Sequence, residues 1–272
     1  MFRQIIIFCV FSGLLLVSLS SCNSYEKLLK SDDVNHKLTK ANEYFDKKSY
    51  YKASNLYESL LQVMKGTKNF EPIYFRYAYS IYYLKDYPSA SYHFKNFVDY
   101  FPASRDAEEA MYMHVICLYK MSNKVSLDQT STIKALEAMQ SFINVYPESK
   151  RLNEANEYMI ALRNKLEEKS VSAAKLYFNI GHYKAASVAY KAVMEAYPDS
   201  PSLDMYQYMI IRSLYQYAKS SVPSKQEERY ANVISEYEIL KTEYPQSKYL
   251  SEASKYSLQA TNQVNKLRNE YQ

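Results

Sequence analysis

Apolar and small residues return along this chain as pairs of helical stripes, every pair after the first closed by a proline. In Ala78–Pro102, AYSIYYLKDYPSASYHFKNFVDYFP, Ala78 and Ala90 stand twelve positions apart, with Phe94, Phe97 and Pro102 following at fixed offsets. Apolar residues three and four apart share one face of a helix, and small residues let two helices approach closely. The stretch therefore predicts two antiparallel helices. The same frame fits an earlier copy, Ala41, Tyr44, Ala53, Tyr57 and Leu60, and a later one, Ala174, Tyr177, Gly181, Ala186, Tyr190, Val193 and Pro198. Two more copies share only the second half: Ala135, Met139, Phe142 and Pro147, then Val233, Tyr237, Leu240 and Pro245. Their first helices, around Met111–Tyr119 and Gln207–Tyr217, lie farther upstream, which implies inserts of about six to eight residues in a ~34-residue unit.

Pro102, Pro147, Pro198 and Pro245 are each followed by Ser two positions on, in PAS, PES, PDS and PQS. Proline stops a helix, and a serine just beyond it is suited to cap the next one. Spacing and punctuation together are those of the tetratricopeptide repeat. The expected fold is all-α: a superhelical solenoid of about five helix-turn-helix repeats. Ser149–Ile180 contains neither Gly nor Pro and predicts one helix of about 45 Å at 1.5 Å per residue, a rigid joint between two halves. The organisation expected is a leader over 1–21, a tether over 22–33, repeats 1–3 over 34–148, and the linking helix, repeats 4–5 and a polar capping helix over 149–272. Asp128 or Thr130–Thr132 would cap the helix after the insert NKVSLDQTS.

Composition narrows the function. Three glycines leave no phosphate-cradling loop and no dinucleotide fingerprint. Thirty-four basic and 29 acidic residues give +5, with lysines interspersed among glutamates. That distribution describes a solvated helical surface and argues against nucleic acid as a partner. Tyrosine occurs 31 times and tryptophan never, which suits aromatic wedges between helices with their hydroxyls at the edge.

Residues 1–21 hold Arg3 and then an apolar run, Ile5–Leu19, too short for a membrane span and suited to a secretory leader. It ends in Leu19-Ser20-Ser21-Cys22, which resembles the bacterial lipoprotein signal motif. That motif implies acylation of Cys22 and removal of everything before it. Cys117 is then the remaining cysteine, without a disulfide partner and placed for packing. Each buried methylene of an acyl chain contributes about 0.8 kcal/mol, so a multiply acylated Cys22 is a durable membrane anchor. Asn23 is compatible, by resemblance to lipoprotein sorting, with the outer membrane.

No catalytic or metal constellation emerges, and no cofactor is expected. His36, His93, His114 and His182 are scattered, without a zinc-ligand spacing or a nucleophile elbow. Glu108-Glu109, Glu167-Glu168 and Glu227-Glu228 are adjacent in sequence, point to different sides of a helix and read as exposed charge. A non-enzymatic binding protein is the expectation. By resemblance to other tetratricopeptide proteins, the groove positions of the first helices are Asn35, Leu38, Asn42, Phe45 and Asp46; Pro72, Phe75, Tyr79, Tyr82 and Tyr83; and Met111, His114, Leu118 and Met121. Phe45, Phe75, Tyr79, Tyr82, Tyr83 and His114 are the candidates for gripping an extended, aromatic-rich peptide, with core packing the competing role for the rings.

The strings EEAMYMHVICLY, LDQT, QSFINVYP and KLEEKSVSAAKLYFNIGHYKAA, together with the cysteine motif and the repeats, resemble the BamD family of outer membrane protein assembly lipoproteins in its Bacteroidetes-type form. The resemblance covers residues 22–246, with Ala110–Ala186 its most specific part. It implies a non-catalytic, periplasm-facing subunit of the outer membrane. Its N-terminal repeats would receive unfolded β-barrel precursors, and its C-terminal half would dock to the POTRA domains of a BamA-type insertase. The inserts and the polar tail depart from that pattern, so the docking surface is carried over only as the region from Arg212 to Arg229. A SusD-like nutrient-capture lipoprotein and a scaffold of the cell envelope are the competing classes; the absence of Trp and the short chain count against the former.

Overall fold

The computed structural model describes residues 24–270. The expected leader and Cys22 lie outside the described residues. Every regular element within them is a helix: α1 (residues 24–30), α2 (Val34–Asp46), α3 (Tyr50–Met64), α4 (Phe70–Tyr83), α5 (Tyr87–Tyr100), α6 (Ala107–Met121), α7 (Thr130–Val145), α8 (Leu152–Asn179), α9 (Tyr183–Ala196), α10 (Leu203–Lys219), α11 (Pro223–Glu243) and α12 (Leu250–Glu270). The helices form the tetratricopeptide pairs read from the sequence. The chain divides into two units, the first comprising residues up to 123 with 129–162, the second 124–128 and the residues from 163 onward.

In the first unit α2 to α7 pack in succession as three hairpins. Ala41, Ala53, Ala78 and Ala90 are fully buried, as are Tyr57, Leu60, Phe94 and Phe97. The twelve-residue step thus sets the helix crossings, and the aromatic residues fill what the alanines leave open. The third pair repeats the arrangement with Ala135, Met139 and Phe142. Cys117 is buried with them, and burial pushes its thiol up to about 12. In the second unit α9 to α12 pack in succession, and α12 also returns against α10. Ala253, Ala260, Val264 and Leu267 form the buried stripe of α12, closing the apolar side of the last pair.

The proline punctuation has a uniform geometry. The preceding residues Phe101, Tyr146, Tyr197 and Tyr244 end their helices at φ −121 to −130° and ψ 58 to 64°, away from the helical region, as proline requires of its predecessor. The serines act differently from the expected caps. Ser104, Ser149, Ser200 and Ser247 accept from the backbone N–H two residues on, just ahead of each helix. Three of them also donate backward to an acid in the first turn of their own repeat: Ser104 to Glu71 (2.5 Å), Ser149 to Glu108 (2.6 Å) and Ser247 to Asp204 (2.7 Å). Each of these three serines therefore fastens the end of one hairpin to its beginning, and the acid stands where the helix N-terminus favours negative charge. Ahead of α7 the cap position is Gln129, and Thr132 donates to the Gln129 side chain at 2.7 Å.

Inside the hairpins the turns need a left-handed residue. Lys48, Lys85 and Gly181 take it at φ 58, 65 and 83°, with the chain closing from Ser49 N to Tyr44 O and from His182 N to Tyr177 O. Only Gly181 adopts this conformation without steric cost. Residues 24–30, within the expected tether, are helical and packed down: Tyr25, Leu28 and Leu29 lie against the core of the first repeat, and the Tyr25 hydroxyl donates to Lys52 O at 3.0 Å.

Candidate functional site

Phe75, Tyr79 and Tyr83 follow at four-residue intervals on α4 and so form one stripe of rings. Phe75 meets Tyr79 at 5.0 Å and Tyr79 meets Tyr83 at 5.9 Å. Tyr82 touches Tyr83 at 5.6 Å, and Phe45 reaches across from α2 to Tyr83 at 6.3 Å. Tyr50 of α3 stacks on Tyr83 at 4.4 Å. The structure therefore joins five of the candidates, Phe45, Phe75, Tyr79, Tyr82 and Tyr83, in one chain of aromatic contacts. Phe75 and Tyr79 spend part of their area on the core rings Phe97 and Phe94, whereas Tyr83 is 44% exposed. Tyr83 is the open ring of the set, and the others hold it in place.

His114 does not join them. Its Nδ1 lies 2.9 Å from both the hydroxyl and the carbonyl oxygen of Ser91 on α5, so the ring fills the α5–α6 contact. Burial lowers its pKa, as it does for His93, which sits among Tyr74, Tyr77 and Tyr92.

The aromatic face has a polar border, of which the groove positions read from the sequence included Asn42 but not Arg76, Glu109 or Arg151. Asn42 Oδ1 accepts from the Tyr57 hydroxyl at 2.8 Å and from Arg76 at 3.0 Å, and the Arg76 guanidinium stands 5.4 Å from the Phe45 ring. On the other side Tyr79 donates to Glu109 at 2.5 Å, Glu109 pairs with Arg151, and Arg151 lies 4.2 Å over the Tyr112 ring. Burial, and then the bond to Glu109, push the Tyr79 hydroxyl well up, which keeps it a neutral donor. The reading of Glu108-Glu109 as exposed charge is thus corrected: Glu108 accepts from Ser149 and Glu109 ties α4 to the start of α8 through α6. Glu167 and Glu227 are also engaged, with Tyr206 and Arg268 at 2.7 Å each. Once adjacent carboxylates stand on helices packed on both sides, one of them faces a neighbouring helix. The clue available in sequence was that Glu71, Glu108 and Asp204 each precede a Pro-x-Ser segment by one hairpin.

In the second unit Arg212 and Arg229 are held on separate rings. The Arg212 guanidinium stands 4.7 Å from Phe178, its Nε buried without a hydrogen-bond partner, and Arg229 stands 4.0 Å from Tyr217 and donates to Ser221. Tyr217 also walls a cleft of about 720 Å³ between α9 and the end of α10, whose lining includes Tyr177, Tyr183, Val188 and Ala192. Val188 is 59% exposed there. An apolar cleft bordered by a cation is suited to docking. Among the described residues no three His, Cys, Asp or Glu side chains are grouped to hold a metal, and no helix is long and apolar enough to cross a membrane. Both surfaces offer apolar area with hydrogen-bonding groups at the border.

The family model YfiO, described as outer membrane lipoprotein, matches residues 31–212. The outer membrane protein assembly factor BamD of Caulobacter vibrioides is 27% identical over 99 residues, 36% of this chain and 32% of that protein, so the chain spans about a third of that relative. BamD of Rickettsia prowazekii is 22% identical over 208 residues, 76% of this chain and 79% of that protein. Among solved structures, the P58(IPK) TPR domain is similar with a TM-score of 0.41 and 15% identity, over 89% of this chain and 68% of that one.

Proposed function

The chain belongs to the YfiO family of outer membrane lipoproteins, and from that premise we propose that it is a non-catalytic subunit of the machinery that inserts β-barrel proteins into the outer membrane. Acyl chains on Cys22 anchor it, facing the periplasm. The observation that carries the reading is the continuous ring surface from Phe45 to Tyr83, bordered by Asn42, Arg76 and Glu109. An unfolded barrel precursor offers extended segments with aromatic side chains on alternate positions. Such a segment gains apolar area on Tyr83 and its neighbours while its backbone amides meet the polar border. Tyrosine supplies that area at low entropic cost, because its rings are already fixed by one another. The surface around Arg212, Arg229 and the α9–α10 cleft docks to the periplasmic POTRA domains of a BamA-type insertase.

The experiment is affinity purification of the tagged, acylated protein from its own membranes in mild detergent, with identification of what co-elutes in equal amounts. Recovery of a POTRA-bearing barrel protein is the expected result. A nutrient transporter or cell-wall enzymes in its place would move the function to capture or scaffolding and overturn the proposal.

A further inference from the structure

We infer that the first repeat itself lies on the membrane, with Tyr51 and Lys52 of α3 and the exposed side of α1 set among the lipid headgroups. The inference rests on acylation of Cys22 and adds to it where the folded chain sits. Three observations carry it. First, Ser24 is already helical, and Tyr25, one residue later, is fixed to the repeat by its bond to Lys52 O at 3.0 Å and by an edge contact with Tyr44 at 5.7 Å. Second, two peptide steps separate Cys22 from Ser24, and consecutive Cα atoms are about 3.8 Å apart, so the acylated residue lies within about 8 Å of Ser24. The headgroup layer on each side of a bilayer is about as thick, roughly 5–8 Å. A chain so fixed has no length with which to hang clear of the surface. Third, the side chains beside this entry point suit an interface. Tyr51 is 66% exposed. The Lys52 ammonium stands 5.4 and 5.3 Å from the rings of Tyr25 and Tyr44. Tyrosine with an apolar ring and a wet hydroxyl, beside a lysine whose stem lies along apolar surface, is the pairing found at membrane–water boundaries. Glu26 offsets one of the two α1 lysines, Lys27 and Lys30, so the attraction owes more to the anchor and the rings than to net charge.

The consequence is functional. A membrane-seated first repeat holds the aromatic face of α2 and α4 at a fixed height from the bilayer, rather than at the end of a mobile tether.

Because the chain contains no tryptophan, a single introduced indole reports alone. Acylated full-length protein carrying Tyr51→Trp is reconstituted into phosphatidylethanolamine–phosphatidylglycerol vesicles with and without brominated acyl chains. Lys27→Trp provides the same reading from α1, and Ile133→Trp on α7 is the comparison. The expected result is quenching of at least ~2-fold at Tyr51→Trp and Lys27→Trp, where an interfacial indole meets the lipid, and little at Ile133→Trp. Acylated, vesicle-bound protein in which all three indoles are equally unquenched overturns the inference and leaves the anchor standing. Protein whose mass shows no acyl group on Cys22, and which remains in the aqueous fraction, overturns both.

Discussion

The two units are built on one repeat template and put different chemistry on it. In the first, tyrosine and phenylalanine on consecutive first helices touch one another, and a carboxylate, Glu109, joins three helices at their border. In the second, rings also meet, Tyr249, Tyr208, Tyr256, Tyr215 and Tyr230 in succession at 5.0 to 6.5 Å, and three further rings carry an arginine, Arg163 over Tyr197, Arg212 over Phe178 and Arg229 over Tyr217. Its polar tie lies elsewhere: Glu236 of α11 is held by Lys191 of α9 and accepts from Gln207 of α10 at 2.8 Å. The alanines and prolines that define the repeat occupy the helix crossings and ends. The remaining faces are free to differ, so one fold presents an aromatic platform in one unit and a cation-bordered cleft in the other.

The largest effect separating the two lies in these carboxylates. Glu109→Gln keeps the shape but leaves Arg151 without its partner; its remaining carboxylate, Glu154, is 3.8 Å away. The expected loss of stability is about 1–3 kcal/mol, the usual cost of breaking a charge-assisted bond, together with weaker binding of an aromatic-rich peptide as Tyr79 loosens. Glu236→Gln should cost a similar amount of stability and leave peptide binding unchanged. Urea unfolding and peptide titration of both variants check this. Equal loss of peptide binding in both would break the division of labour.

A smaller difference concerns acid. Burial lowers the pKa of both His93 and His114, and both lie in the first unit. The unfolded chain then binds more protons than the folded one, so stability is full above about pH 6.5 and falls as pH drops toward the folded values, by at most about 1.4 kcal/mol per histidine per pH unit. Thermal melts at pH 7.5 and 5.5, followed by amide exchange resolved along the chain, should show the first unit loosening earlier. His114→Gln should reduce the difference. A first unit indifferent to pH in this window contradicts the buried state assigned to these rings.

The repeats were legible because their determinants are local: alanine at a crossing, proline at an end, serine two positions on. The rings of α4 were legible for the same reason, since four-residue spacing alone puts Phe75, Tyr79 and Tyr83 in line. The Tyr79–Glu109–Arg151 tie was not, because its members are 30 and 42 residues apart, and their meeting depends on how each helix is rotated about its axis. That rotation also took His114 from its expected groove position to Ser91. The tether reading of 22–33 missed α1 because seven residues carry too few apolar positions for a periodic signal, and Tyr25, Leu28 and Leu29 acquire meaning only beside the first repeat.

The central claim is that the two units engage different partners, and photo-crosslinking in cells tests it most directly. A photoreactive residue is placed at Tyr83 in one full-length protein and at Val188 in another, both exposed and outside the core. The account predicts a ladder of unfolded barrel precursors trapped from Tyr83 and a single POTRA-bearing protein trapped from Val188. The same partner from both positions, or precursors from Val188 alone, would contradict it.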